Sequence, residues 1–260
     1  MTAAAEWQLS TREFRLLWDG EHGAPYPSSL LWTVADDPGH EIDKRNRIAA
    51  LQRNLTSGQR EALAVLTHPT YSLFIVGIDD GRDLADPSHH LRLCAAWGGG
   101  DYGYIARQTV SGDAAWGGQI TLTRHETSTW TAAVVGQLPP GAGAGRLPLD
   151  TAVQVDMMTA GGETLLTTVV SAPGTAGGQF RSDVAPSTCG TIWIQVGSIT
   201  DGYPPSRVEA RYRDIPGDGR YLLILDDPGA AMGVDRTQFT KMLNRVINAT
   251  RTRHKARAAS

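Results

Sequence analysis

Gly112-Asp113-Ala114-Ala115-Trp116 and Gly217-Asp218-Gly219-Arg220-Tyr221 share one pattern, Gly-Asp-x-x-aromatic, and each follows an Ala-Arg pair, Ala106-Arg107 and Ala210-Arg211. Glycine and aspartate tolerate the positive φ of a tight turn, and an aromatic packs well where the chain re-enters a sheet. Each stretch therefore predicts a β-hairpin. The two align with a single-residue gap. Unrelated hairpins also converge on such letters, but the order of four strands and a helix around both favours duplication. The expectation is an α+β fold in which two antiparallel β-meander-plus-helix halves, about 1–138 and 149–250, form a quasi-twofold single domain. Its central sheet would carry flanking helices.

Outward from the hairpins, Tyr71–Ile78, Leu91–Trp97, Tyr102–Val110 and Gln119–Thr123 are short, rich in β-branched and aromatic residues, and bounded by Gly or Asp-Gly turns. Trp130, Ala133, Val134 and Leu138 then recur at helical spacing. In the second half, Gln179–Asp183, Thr191–Ile199, Arg207–Asp214 and Arg220–Leu225 read as strands. Asp235 and Gln238 open a capped helix with Phe239, Met242, Leu243, Val246 and Ile247 on one face. Between the halves, Pro139-Pro140-Gly141-Ala142-Gly143-Ala144-Gly145 can hold no regular element and marks the boundary. Residues 149–171 stay ambiguous: Val153 and Val155 suit a strand, whereas Leu165, Leu166, Val169 and Val170 suit a helix face. Before the first meander, Ser10 and Glu13 form a capping box ahead of Phe14, Leu17 and Trp18. Pro25-Tyr26-Pro27 forces an extended segment, and helical patterns cover about 41–55 and 59–67.

The 260 residues carry a net charge of −3, with 41% hydrophobic and 20% charged residues, so nothing global draws the chain to nucleic acid or an anionic membrane. Arg251, Arg253, His254, Lys255 and Arg257 lie beyond the last apolar position, and 251–260 reads as a frayed, solvated tail, with an electrostatic docking arm as the alternative. The first residues show no basic n-region or apolar h-region, and no run suggests a membrane span, which predicts a cytoplasmic protein. Cys94 and Cys189 read as reduced core thiols.

Catalytic motifs are scarce. The sequence has no Walker-type phosphate loop, no dinucleotide fingerprint between strand and helix, and no nucleophile elbow. Asp36-Asp37, Asp79-Asp80 and Asp226-Asp227 sit beside Gly or Pro, where aspartates cap turns. His89, His90 and Cys94 form the one cluster resembling a metal site. On a strand, 90 and 94 share a face and 89 points away, so at most two ligands converge. Trp97, Trp116 and Trp193 read as core. Trp97 also flanks the flexible glycine loop 98–100, followed by Asp101-Tyr102-Gly103-Tyr104, and a loop framed by aromatics suits a contact surface.

Leu-Ser-Thr-Arg-Glu-Phe-Arg-Leu-Leu-Trp at 9–18, Pro25-Tyr26-Pro27, Gly178-Gln179-Phe180, the strand entry Gly219-Arg220-Tyr221 and the capped final helix resemble the EspG family, the ESX (type VII) secretion-associated chaperones. The resemblance touches both ends and the middle of the chain. It implies a cytosolic, non-enzymatic chaperone, without cofactor or metal, that binds PE–PPE heterodimers at the apolar PPE tip and helps direct them to a secretion machine. It further implies a partner surface on the loop (Trp97, Gly99, Asp101, Tyr102, Tyr104) together with a helical region containing Leu165, Leu166 and Val169. The free protein would be a monomer or weak homodimer that neither enters a membrane nor binds nucleic acid. Residues 148–178 are short and helix-poor where the family has a helical bundle. An enzyme or metal protein with a dispersed site around His89 and His90 is the alternative from a different class, and a structural subunit dimerising through its sheet edge is a third.

Overall fold

A computed structural model of the chain describes residues 6–21, 25–31, 41–78, 90–110, 117–141, 143–146, 151–160, 163–171, 186–197, 204–225 and 230–259. The chain opens with strand β1 (Glu6–Ser10) and helices α1 (Thr11–Gly20), α2 (Glu41–Asn54) and α3 (Ser57–Thr67). A meander follows, β2 (Tyr71–Ile78), β3 (His90–Trp97), β4 (Tyr102–Val110) and β5 (Gly117–Glu126), closed by α4 (Thr127–Val135). Then come β6 (Thr151–Ala160), β7 (Glu163–Ser171), β8 (Thr188–Val196), β9 (Ser206–Ile215), β10 (Gly219–Leu225), β11 (Ala230–Gly233) and α5 (Arg236–Ala258).

The fold is α+β, with one large antiparallel sheet and helices on both faces. Its strand order is β1-β5-β4-β3-β2-β8-β9-β10-β11-β6-β7. The β6–β7 hairpin attaches through Ala230↔Ala152 and Ala231↔Thr151. β2 and β8 pair over their whole length, Tyr71↔Val196 through Ile78↔Cys189, and this seam joins the two meanders.

Local chemistry explains the helix starts. Ser10 and Glu13 make the expected capping box, with the Ser10 amide and hydroxyl both donating to the Glu13 carboxylate at 2.8 Å. Thr56–Gln59 and Asp235–Gln238 repeat it. α4 differs from these, since Glu126 at its N-cap makes no side-chain bond. Phe14 and Trp18 of α1 pack around Tyr26, at ring separations of 6.1 and 5.8 Å, so Pro25-Tyr26-Pro27 is extended in order to deliver that ring.

Alternation along the strands sorts two cores. On one face, Trp130 and Val134 of α4 and Phe239, Leu243 and Ile247 of α5 cover Leu73, Leu93, Ile105, Ile192 and Ile194. On the other, α1 and α3 cover Cys94, Ala96, Tyr104, Ile120 and Leu122. Gly103 interrupts β4 for a packing reason, because an added Cβ would lie 2.2 Å from the Trp130 indole. Cys94 is buried and Cys189 half-buried, both free thiols. No helix among the described residues is long and apolar enough to cross a membrane.

Four expectations need correction. Residues 149–171 include a β-hairpin, so Leu165, Leu166 and Val169 lie on a strand rather than a helix; threonine-rich, β-branched composition wins over the helical spacing. The second meander takes its fourth strand from β11, whose Ala-Ala-Met-Gly sequence carries no alternation signal, while Gln179–Asp183 lies outside the described residues. One strand thus separates the Gly112 turn from α4, but two separate the Gly217 turn from α5, and the two turns hold different places in their meanders. The Gly112–Trp116 turn itself is outside the described residues. Trp193 is half-buried rather than core, and the basic tail is helical through Ala258.

The Pro139–Gly145 linker is tied down by a buried ion pair. Arg220 donates from Nε and Nη2 to Asp214 at 2.6 and 2.7 Å, and from Nη2 to the Pro139 carbonyl at 2.7 Å. Thr188 also donates to Asp214, and the Arg220 amide donates to the Gly143 carbonyl at 2.8 Å. Breaking one member leaves the other as an uncompensated buried charge. Asp214→Ala is expected to cost about 3–5 kcal/mol in urea unfolding. Asp214→Leu with Arg220→Met should recover much of that loss, and a loss under about 1 kcal/mol for Asp214→Ala would refute the role of the pair.

Candidate functional site

β3 ends at Trp97 and β4 begins at Tyr102, so residues 98–101 form the turn that the sequence marks as a flexible glycine loop. It is instead well tethered. Gly99 supplies the turn with φ +98°. The Trp97 indole N–H donates to the Gly100 carbonyl at 2.8 Å and to the Thr127 hydroxyl at 3.0 Å. Thr127 also donates to the Gly100 carbonyl from its hydroxyl at 2.9 Å, and to the Asp101 carbonyl from its amide at 2.9 Å. The start of α4 therefore fixes the turn.

The expected contact residues do not lie together. Gly99 and Asp101 are exposed at the turn. Trp97 is half-buried, packs against the α4/α5 core and stacks on Tyr71 at 5.2 Å. Tyr102 packs on the opposite face, under the Arg124 guanidinium at 4.4 Å. Tyr104 is fully enclosed, and burial with the Glu61 carboxylate nearby raises its phenol pKa above the usual value. It belongs to the core and offers no contact surface. Strand alternation explains the split: Tyr102 and Tyr104 share a face that Trp97 does not. Leu165, Leu166 and Val169 on β7 are separated from β3 and β4 by β2, β8, β9, β10, β11 and β6 in the sheet order. That is roughly 30 Å or more at the usual spacing between strands, so one continuous patch cannot combine them with the turn.

The metal alternative finds no local support in the strand that carries it. His90 and Cys94 do share a face, but Arg92 is the residue between them on that face of the strand, and its guanidinium reaches His90 Nδ1 at 3.2 Å. A cation there opposes a metal ion. Among the described residues no group of three or more His, Cys, Asp or Glu could hold a metal, and His89 and the aspartate pairs lie outside those residues.

Beside the turn, the structure brings together groups that the sequence reading sent to a frayed tail. The last turns of α5, the end of α3 and the ends of β2 and β8 enclose a cleft of about 270 Å³, lined by His68, Thr70, Gly197, Arg251, His254 and Lys255 among others. The Arg251 guanidinium lies over both the Tyr71 and Trp97 rings, at 5.7 and 5.4 Å from their centroids. Burial raises the Tyr71 phenol pKa, and Arg251 opposes that rise. His254 Nδ1 is 3.3 Å from the Ser206 hydroxyl. Its ring fills the space above Gly197, where an added Cβ would come within 2.6 Å. The signal was present in the sequence: Ile247, Thr250, Arg251 and His254 continue the i, i+3, i+4, i+7 face of the helix. Reading only apolar letters hid it.

A larger hollow of about 360 Å³ lies between the end of α4 and the start of α5, but its buried guanidinium, Arg220, is already committed to Asp214. No protein-family model matches this chain, and no curated protein sequence matches it significantly.

The tethering makes a prediction. Trp97→Phe keeps the ring on Tyr71 but removes the indole donor, and should cost about 1 kcal/mol. Amide exchange measured by mass spectrometry over 98–101 should accelerate; unchanged exchange would mean the indole bonds do not hold the turn.

Proposed function

We propose that this chain is an EspG-like, non-enzymatic chaperone whose two meander-plus-helix halves are related by a quasi-twofold axis through the β2/β8 seam. The strand order is the observation that carries this reading. Outward from the seam, β2-β3-β4-β5 on one side matches β8-β9-β10-β11 on the other. Each meander ends in a helix, α4 or α5, packed on the same face. Each outermost strand gains one more neighbour, β1 on β5 and β6 on β11. This strand order supports the quasi-twofold architecture that the resemblance in residues 9–18, 25–27 and 219–221 implies.

The substrate in this reading is a PE–PPE-type helical heterodimer, bound in the cytoplasm at its apolar tip and kept soluble until secretion. Shielding such a tip removes an aggregation-prone patch, and a standard interface would bury about 1,200–2,000 Å². The contact surface is the β3–β4 turn, where the exposed Gly99 and Asp101 are framed by Trp97 and Tyr102. A turn already tethered to α4 loses little conformational freedom when a partner docks.

Co-expression with a PE–PPE pair followed by gel filtration tests the proposal. A co-eluting complex is expected, with Tyr102→Ala weakening it by about 1–2 kcal/mol, roughly ten-fold in Kd, while the free protein stays folded. Separate elution and unchanged solubility of the pair would reject the chaperone reading. Full affinity in Tyr102→Ala would remove the turn from the interface.

A further inference from the structure

Helix α5 is charged with one sign only. Its 23 residues include Arg236, Lys241, Arg245, Arg251, Arg253, Lys255 and Arg257 and no aspartate or glutamate, in a chain whose net charge is −3. Cations in a last helical turn complement the helix dipole. That accounts for Lys255 and Arg257 but not for Arg251, which lies further back. Nor does core packing use these charges, since α5 buries Phe239, Leu243, Val246, Ile247 and Thr250.

Arg251, His254 and Lys255 face the cleft together with His68 at the C-cap of α3, and among the described residues no carboxylate lines it. Arg251 is held by two aromatic rings rather than by an acid, so its in-plane N–H donors are not committed to an internal carboxylate. His254 is held by Ser206 and by its fit over Gly197. Asp101, on the neighbouring turn, is exposed.

We infer that this cleft is a docking site for an acidic peptide segment, one that inserts Asp or Glu side chains against Arg251 and Lys255. Charge complementarity selects an anion. The shape selects a peptide: Arg251 and His254 are half-buried in a cleft of about 270 Å³, out of reach of a flat bilayer or a duplex but open to single side chains. The inference rests on α5 and its cleft and not on the chaperone proposal, so either can fail without the other.

The test is fluorescence anisotropy of the full-length protein with a labelled Glu/Gly peptide, beside an oligothymidylate of equal charge. Saturable peptide binding is expected at 50 mM salt and should weaken at least about five-fold at 300 mM as the charges are screened. Arg251→Gln with Lys255→Gln should weaken it at least about ten-fold. Lys255→Gln alone, at an exposed position, should weaken it about three-fold and guards against a folding defect in the pair. Lys241→Gln, on the same helix but outside the cleft, should leave it unchanged. Absence of peptide binding, an equal loss in Lys241→Gln, or tighter binding of the oligothymidylate would each overturn the inference.

Discussion

Eight residue pairs, Tyr71↔Val196 through Ile78↔Cys189, make the seam on which the rest of the molecule depends. Without the β2/β8 pairing each meander would expose a long edge, and the core under α4 and α5 would be split. Leu73 and Ile75 on one side of the seam and Ile192 and Ile194 on the other belong to one buried cluster. An unpaired strand edge invites association with other chains. Here it is consumed within the fold, and the outer edges carry β1 on one side and the β6–β7 hairpin on the other.

The seam also concentrates chemistry at one end of the sheet. There β2 begins and β8 ends, and the Thr70 carbonyl accepts the Gly197 amide at 3.1 Å while the Thr70 amide donates to Trp97. Because these ends meet, Trp97, Tyr71 and Arg251 stack next to the cleft formed by His68, His254 and Lys255. Aromatic surface and positive charge are therefore contiguous. The far side of the second meander is organised differently, by the buried Asp214–Arg220 pair that fastens the inter-half linker. One end presents charge to solvent and the other buries it.

Much of this was legible from the residues. The eight strands of β2–β5 and β8–β11 had signals in all but β11, and the capping boxes at Ser10 and Asp235 located two helix starts. β1 and β11 escaped notice because a five- and a four-residue strand hold too few positions to show alternation. The repeated Gly-Asp turn pointed to two meanders by aligning turns that are not equivalent, since turn chemistry reports a local φ rather than a place in the topology. The site was harder to read. Which face Trp97, Tyr102 and Tyr104 occupy depends on register, and the burial of Tyr104 depends on α3, far away in sequence. The cleft at Arg251 depends on polar residues extending a helix face that an apolar pattern stops at Ile247.

The two-meander scaffold thus places most of its aromatic and turn residues in structural roles, and leaves the β3–β4 turn as the surface proposed to meet a secreted helical partner. Hydrogen-exchange mass spectrometry of the protein with and without a PE–PPE pair addresses this most directly. The account predicts slowed exchange over residues 97–102 in the complex, with the buried seam at 71–78 and 189–196 unchanged. Identical exchange at the turn in a demonstrated complex, or protection confined to other surfaces, would contradict it.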